Sequence, residues 1–147
     1  MHDLQIRILN TSKNAIPSYA TGGASGMDIR ASLEAPIILK PLQRMLVTTG
    51  IYFELPPGYE AQVRPRSGIA LKQGITCLNS PGTIDCDYRG EIKILLINLS
   101  DEEQEIRSGD RIAQIVISKF KKAELILVQQ LKDTDRGEGG FGHTGVQ

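Results

Sequence analysis

The sequence predicts an all-β domain, a sandwich or a barrel of many short strands with one short helix. Its 147 residues include fifteen glycines and seven prolines, which divide the apolar runs into short pieces, as tight turns between strands do. The clearest piece is residues 59–64, where apolar and polar side chains alternate with the period of a half-buried strand. A chain of this length is large enough to bury a core without disulfides or metal ions.

Charge and composition exclude several classes of partner. Lysine plus arginine and aspartate plus glutamate number seventeen each, so no net field attracts nucleic acid or a membrane surface. No apolar run approaches the roughly 18 residues of a membrane span, and the first residues lack the features of a signal peptide. We therefore expect a soluble, cytoplasmic protein with no nucleic-acid or membrane partner. We expect the two cysteines, Cys77 and Cys86, to be buried free thiols, because they are too few for a disulfide framework.

Strands are predicted in order along the first part of the chain, because apolar residues occur there in short runs between turn-forming residues. Residues 17–26 are rich in glycine, serine and threonine and are predicted to form a loop, with Asp28 at its junction to the next strand. Such an acid is either an ordinary turn residue or part of a site. The predicted strands are residues 5–9, 27–31, 37–39, 45–53 and 59–64.

One helical turn is predicted over residues 69–73, with Ser67 as the N-cap and Gly74 as the end. Arg64 and Arg66 flank its start. Free backbone amides and guanidinium groups that point at the same place form a ready site for a phosphate. An ordinary capped helix with solvated arginines is the alternative.

Residues 82–91 form the most informative stretch, because two carboxylates and an aromatic ring occur together between turn residues. We interpret the stretch as a β-hairpin that presents Asp85, Asp87 and Tyr88. In an extended strand, side chains two residues apart point to the same face. A base and a flat surface suit a small-molecule site, and a surface hairpin with ordinary turn acids is the alternative.

The second half of the chain predicts two interior strands. Residues 92–99 are strongly apolar, which is consistent with a strand buried on both faces. Residues 111–117 form the other strand and carry Gln114 as a buried polar candidate. Residues 100–104 are interpreted as a charged turn between these strands. Residues 123–131 contain both helix and strand formers, and we predict a strand there with a helix as the alternative.

The C-terminal residues differ from the rest, since glycine dominates around Arg136 and Phe141. Residues 137–144 come close to the pattern of a phosphate-binding loop, but such a loop requires a strand before it and a helix after it. A glycine-rich arm with one aromatic ring and one arginine suits a lid over a nucleotide, and a disordered tail is the alternative. We therefore divide the chain into a β-barrel domain, residues 1–134, and a C-terminal lid, residues 135–147.

Five motifs in order make the chain similar to the trimeric dUTP pyrophosphatases, the dUTPase family. They are residues 24–31, 65–70, 82–91, 109–114 and 136–145, and they extend over almost the whole chain. The resemblance implies a jelly-roll-like β fold with a flexible C-terminal arm, assembled as a homotrimer with its active sites at the subunit contacts. It also implies Mg²⁺-assisted hydrolysis of dUTP to dUMP and pyrophosphate by attack of water on the α-phosphorus. That reaction limits uracil in DNA and supplies dUMP for thymidylate synthesis.

The resemblance assigns the chemistry to the central stretch. Asp85 corresponds to the general base that deprotonates the attacking water. Tyr88 corresponds to the ring beneath the deoxyribose, which leaves no space for a 2′-hydroxyl. Asn79, with the backbone of Thr83, Ile84 and Asp85, corresponds to the edge that reads uracil. Cytosine would leave buried polar groups unpaired there.

The remaining contacts implied by the resemblance hold the triphosphate and close the site. Arg136 would grip the γ-phosphate, and Phe141 would stack on uracil, an interaction of about 1–3 kcal/mol per base. Mg²⁺ would be held mainly by the triphosphate and water, with Asp28 on its water shell. Lys93 corresponds to a substrate-contact position. The other predicted contacts to the substrate are Arg66, Ser67, Gly68, Gln114, Gly142, His143 and Thr144.

One position departs from the family pattern, since the family usually has serine where this chain has His143. Histidine gains a proton near pH 6.5. We hypothesise that His143 contacts the γ-phosphate, so that the affinity for dUTP rises as the pH falls towards about 6. The alternative is that backbone amides of the lid hold the phosphate and that His143 points outwards.

Two other functions compete with dUTP hydrolysis. dCTP deaminases share this fold and trimer, but they place a catalytic glutamate where this chain has Leu95. A leucine cannot transfer protons, so the sequence disfavours deamination. A non-catalytic dUTP-binding signalling trimer predicts loss of the base or lid residues, yet Asp85, Tyr88, Arg136 and Phe141 are all present.

Overall fold

The computed structural model describes residues 4–140 and has eleven β-strands and one short α-helix in that range. This confirms the predicted all-β class with one short helix. The elements are β1 Arg7–Asn10, β2 Gly26–Arg30, β3 Ile37–Leu39, β4 Arg44–Val47, β5 Ile51–Glu54, β6 Tyr59–Arg64, α1 Ser67–Gln73, β7 Ile75–Cys77, β8 Gly82–Ile84, β9 Ile94–Asn98, β10 Gln104–Ile106 and β11 Arg111–Lys119.

The strands form four small antiparallel sheets that share one core. The largest sheet has the order β2-β11-β6-β8, and a second has the order β4-β9-β7. The pairs β1-β5 and β3-β10 form the other two. Within residues 4–140 the strands do not close into a barrel, so the open arrangement of sheets is the one observed.

The core is built from inward side chains of all four sheets, because alternation along a strand turns every second residue to the same face. In β9, Ile94 and Leu96 are buried, whereas Leu95 and Ile97 are only partly buried. The prediction that this strand is buried on both faces is therefore wrong. An apolar run marks a strand that packs well, but it does not say how completely the second face is covered.

A bend divides what the sequence predicts as one strand over residues 45–53. β4 ends at Val47 and β5 begins at Ile51, and the two strands belong to different sheets. Gly50 has a φ of 68°, a left-handed conformation that glycine adopts without strain. The prediction treated the run as continuous because the two threonines before Gly50 are good strand residues.

The central stretch is not a β-hairpin. Only β8 is extended, and its ladder partner is β6 instead of the strand that follows along the chain. Residues 85–93 form a loop between β8 and β9. The hairpin prediction relied on turn residues at both ends of the stretch, and turn residues do not identify the partner of a short strand.

The helix begins earlier than predicted. Ser67 is its first residue, and Arg66 occupies the N-cap position without a side-chain cap, so the prediction of Ser67 as the N-cap is wrong. Gly74 ends the helix as predicted, with a left-handed φ of 65°. Its N–H donates to the carbonyl of Ala70 at 3.1 Å.

The structure differs from the prediction at two places in the second half of the chain. β10 begins at Gln104, where the sequence predicts only a charged turn. Residues 123–131 form neither strand nor helix, and Leu125 and Leu127 are 93% and 100% exposed. A contiguous exposed apolar segment of this kind is typical of a surface that packs against another chain. Within residues 4–140, no helix has the length and apolar character needed to cross a membrane.

Candidate active site

The loop of residues 85–91 carries the acid and the ring predicted for the site, and its own hydrogen bonds brace it. The N–H of Tyr88 donates to the carbonyl of Asp85 at 3.1 Å and closes a turn. The guanidinium of Arg89 donates to the carbonyls of Cys86 and Tyr88 at 2.7 and 3.0 Å. The loop therefore holds an acid and an aromatic ring in a defined relation, although both side chains are exposed.

The residues predicted to read uracil lie next to that acid. Thr83 and Ile84 belong to β8, and Asp85 is the first residue after it. Asn79 lies over the start of the same strand, since a Cβ added at Gly82 would come within 3.1 Å of the Asn79 Nδ2. The fold thus gathers the predicted base and the predicted uracil edge around one short strand.

The turn before α1 is fastened to β2 and β11 by polar side chains. The Arg66 Nε donates to one oxygen of Asp28 at 2.7 Å, and its Nη1 donates to the carbonyl of Arg111 at 3.1 Å. The Arg111 Nη1 donates to the other Asp28 oxygen at 3.2 Å. The Gln114 Nε2 donates to the carbonyl of Pro65 at 2.9 Å. Asp28 is the cross-strand neighbour of Gln114, so these bonds form one cluster.

In this cluster, some hydrogen-bond donors of the predicted phosphate contacts are already occupied by protein groups. Three of the five N–H groups of Arg66 are used by Asp28 and a backbone carbonyl, and two remain for a phosphate. Gln114 is only partly buried, and its amide has a backbone partner. Ser67 and Gly68 are exposed at the start of α1. The turn therefore has a fixed position and keeps free donors at its surface.

A metal ion has few possible protein ligands in this structure. Residues 4–140 contain no group of three or more histidine, cysteine, aspartate or glutamate side chains placed to hold one. Both oxygens of Asp28 accept hydrogen bonds from guanidinium groups, whose positive charges oppose a nearby cation. Mg²⁺ commonly keeps several waters and binds through the phosphates of a substrate, and a site of this composition fits that mode.

Asp85 and Arg66 lie at opposite ends of β6 within one chain. β8 runs antiparallel to β6, with Ile84 opposite Ala61. Asp85 is therefore level with the beginning of β6, whereas Arg66 follows its end. About six residues of extended chain, roughly 20 Å, separate the two levels. At that separation, the acid and the arginine of one chain do not face the same phosphorus atom.

The other predicted contacts lie at the edges of the described residues or beyond them. The Lys93 Nζ is 3.9 Å from a carboxylate oxygen of Glu91. Arg136 is exposed, and its Nε donates to the carbonyl of Gly139 at 2.7 Å. The remaining predicted lid contacts, Phe141, Gly142, His143 and Thr144, lie outside the described residues.

The two cysteines have different surroundings. Cys77 is 2% exposed, and burial raises the pKa of its thiol to about 11. The thiol is therefore protonated at neutral pH and does not act as a nucleophile. Cys86 is only partly buried, so the expectation that both thiols are buried is wrong for this residue.

Sequence reasoning missed the role of two charged residues. Arg111 binds Asp28, and Glu91 accepts hydrogen bonds from the backbone N–H groups of Thr49 and Gly50 at 3.1 and 2.8 Å. Both residues lie within the motifs that carry the family resemblance. No local pattern pointed to their partners, because those partners are more than forty residues away along the chain.

Comparison with known proteins places these features in context. The model of the dUTPase protein family matches residues 12–145. The deoxyuridine 5′-triphosphate nucleotidohydrolase of Finegoldia magna is 55% identical over 142 residues, which cover 97% of this chain and 99% of that protein.

Solved dUTPase structures have a similar fold. The dUTPase of Staphylococcus bacteriophage 80alpha, bound to dUPNHPP, has a TM-score of 0.87 at 26% identity. The match covers 97% of this chain and 99% of that one. A mutant dUTPase of phage phi11 of S. aureus, which coordinates a structural Mg(II) ion, has a TM-score of 0.78 at 22% identity, over 88% of this chain and 99% of that one.

Proposed function

This chain belongs to the dUTPase family and is a dUTP diphosphatase, and we propose that Asp85 is the general base of its reaction. The observation that carries the proposal is the braced loop of residues 85–91, where an exposed carboxylate follows β8 and a tyrosine ring lies three residues further on. Such a loop can hold an acid against a water molecule while the nucleoside rests beside it.

In the proposed mechanism, Asp85 accepts the proton of the water that attacks the α-phosphorus of dUTP. Asn79, Thr83 and Ile84 hold the uracil edge next to it, and the Tyr88 ring lies beneath the deoxyribose. Proton transfer to a positioned side chain contributes about 10²–10⁴-fold to the rate. The products are dUMP and pyrophosphate, and we propose that the reaction limits uracil in DNA and supplies dUMP for thymidylate synthesis.

The triphosphate is held, in this proposal, by the turn before α1. Arg66 keeps two N–H groups free for it, and Ser67 and Gly68 are exposed beside Arg66. Gln114 and Lys93 supply further contacts. Mg²⁺ bound to the triphosphate would neutralise part of its charge.

We propose that residues 135–147 act as the lid over this site. In that role Arg136 would bind the γ-phosphate and Phe141 would stack on uracil. Gly142, His143 and Thr144 would complete the contacts of the lid, and the pH dependence of dUTP affinity ascribed to His143 remains a prediction.

The separation of Asp85 and Arg66 supports a homotrimer with shared sites. One chain offers the base at one end of β6 and the phosphate contacts at the other, so a complete site needs at least two subunits. The apolar segment of residues 123–131 is exposed in the single chain, and contact with a neighbouring subunit would bury it. Both observations favour an assembly in which the subunits complete one another's sites.

A deaminase would need a side chain that transfers protons at position 95, and this chain has a leucine there. Leu95 lies on β9 opposite Leu46, and an apolar pair cannot move protons to or from an exocyclic amine.

The test is the release of pyrophosphate from dUTP, dCTP, dTTP and UTP by the wild-type protein and by Asp85→Asn. We expect a strong preference for dUTP and a loss of about 10²–10⁴-fold in kcat in the variant, without a change in thermal unfolding. Asp87→Asn, the same change two residues further along the loop, is the matched control and should keep most of the activity. Turnover that survives in Asp85→Asn, or a preference for dCTP, would contradict the mechanism.

A further inference from the structure

We propose that Gly90 and Glu91 determine the position of the Tyr88 ring and thereby set how strongly the enzyme rejects ribonucleotides. The inference rests on the proposed function, in which this ring lies beneath the deoxyribose. Neither residue is among the substrate contacts predicted from the sequence, and both contact the exposed ring.

Gly90 provides the space that the ring occupies. A Cβ added at Gly90 would overlap the hydroxyl and the Cζ of Tyr88 and would lie 2.8 Å from its Cε2. The φ of Gly90 is outside the left-handed range, so its backbone conformation is open to other residues. Glycine at this position is therefore what allows the ring to pack directly against the Cα of residue 90.

Glu91 holds the same hydroxyl end of the ring by a hydrogen bond. The Tyr88 hydroxyl donates to the carbonyl of Glu91 at 2.9 Å. The Glu91 side chain is 17% exposed, and one of its carboxylate oxygens accepts from the N–H groups of Thr49 and Gly50. Since the N–H of Ile92 also donates to the carbonyl of Ile51 at 2.8 Å, the end of the loop is anchored to the bend between β4 and β5.

The ring lies at the surface of the protein, where the contacts with Gly90 and Glu91 restrain it. Tyr88 is 44% exposed, so it is not held in place by being buried in the core. A ring that rejects a 2′-hydroxyl by shape must keep its position to within a fraction of an ångström, because misplacement by about 1 Å can cost a hundredfold in rate. A methyl group at Gly90 would displace the Tyr88 ring, which is the far end of a flexible side chain, and leave the backbone of the loop in place.

The experiment measures kcat/KM for dUTP and for UTP in wild-type protein, Gly90→Ala and Gly22→Ala. We expect the ratio of dUTP to UTP to fall by about 10–200-fold in Gly90→Ala, the range that a single methylene changes in a fitted pocket. Gly22 is the matched control, because an added Cβ would meet no atom within 4 Å, and its variant should keep the wild-type ratio. A folded Gly90→Ala protein with the wild-type ratio would overturn the inference.

Two further variants separate a positioning role from a loss of folding. Tyr88→Phe keeps the ring and removes only the hydroxyl that binds Glu91, and the ratio should fall by about 2–10-fold, the equivalent of one hydrogen bond. Glu91→Gln keeps an oxygen that can accept from Thr49 and Gly50 and should preserve selectivity, whereas Glu91→Ala should lose it. An unchanged ratio in Tyr88→Phe, or equal ratios in the two Glu91 variants, would overturn the inference even if Gly90→Ala does not fold.

Tyr88→Ala distinguishes failure of this inference from failure of the proposed function. If Tyr88→Ala keeps the wild-type ratio, the ring is not the sugar platform, and the proposed role of Tyr88 fails together with the inference. If Tyr88→Ala lowers the ratio and Gly90→Ala does not, the sugar platform stands and only the inference is overturned.

Discussion

At the scale of single residues, the charges around Asp28 account for the position of the predicted phosphate contacts. The side chains of Arg66 and Asp28 are 23% and 28% exposed, so water screens this ion pair less than it screens an exposed one. Asp28 also binds Arg111, and without its carboxylate two guanidinium groups would face each other. We therefore regard Asp28 as a positioning residue that acts on the substrate through Arg66.

Asp28→Asn tests this role. Asparagine keeps one oxygen that can accept a hydrogen bond, but it removes the charge that orients both arginines. We expect kcat/KM for dUTP to fall by about 10–100-fold, mainly through KM, because the phosphate contacts shift while Asp85 is untouched. Steady-state kinetics at saturating Mg²⁺ give the comparison.

The control is Glu105→Gln, which removes an exposed ion pair to Arg107 and should leave dUTP hydrolysis at the wild-type rate. If Asp28 acts instead through the water shell of the metal, Asp28→Asn will raise the Mg²⁺ concentration for half-maximal activity. That result would replace the positioning role.

At the scale of secondary-structure elements, the bend between β4 and β5 links the core to the loop of residues 85–91. Its Gly50 N–H donates to Glu91, and the Gly50 carbonyl accepts from the N–H of Thr11 at 2.8 Å. A Cβ at Gly50 would lie 2.8 Å from the backbone nitrogen of Ser12. The bend therefore combines a left-handed backbone with a close approach of another backbone segment.

Gly50→Ala should destabilise the protein by about 2–4 kcal/mol, since a left-handed alanine costs about 1–2 kcal/mol and overpacking adds to it. Gly58→Ala isolates the backbone part, because Gly58 also has a positive φ, of 84°, but an added Cβ would meet no atom within 4 Å. We expect about 1–2 kcal/mol for that variant. Chemical unfolding at equal protein concentration measures the free energy of unfolding of both variants. Equal losses of stability would refute the steric contribution at Gly50.

At the scale of the whole molecule, the assembly should decide whether a site is complete. Asp85 and the Arg66 turn lie at opposite ends of β6, whereas Asp85 and Tyr88 lie on the same loop. If the sites are shared between subunits, a variant of Asp85 and a variant of Arg66 should restore activity when they are mixed. A variant of Asp85 and a variant of Tyr88 should not.

Mixed trimers of Asp85→Asn and Arg66→Ala test this arrangement. Each variant alone should be nearly inactive, whereas at equal mixing about a quarter of the sites would combine an intact Asp85 with an intact Arg66 from a different subunit. Refolding the two proteins together and measuring pyrophosphate release gives the result. Asp85→Asn mixed with Tyr88→Ala is the control and should restore nothing, because both residues come from one loop. A mixture no more active than its parts would show that the sites are not shared in this way.

The sequence by itself determined the all-β class, the short helix with its glycine end, and the identity of most candidate site residues. These features depend on local chemistry: alternation along residues 59–64, a left-handed glycine at Gly74, and motifs whose residues are close together in the chain. Neighbours in sequence are sufficient to recognise each of them.

Only the tertiary structure decided which distant segments meet. It paired β8 with β6 in place of a hairpin, divided residues 45–53 at Gly50, and left residues 123–131 exposed on the single chain. It also placed Glu91 against that bend and Asp28 between two arginines. The physical reason is the same in each case, since a hydrogen-bond or packing partner remote in sequence leaves no periodic or compositional trace near the residue that it holds.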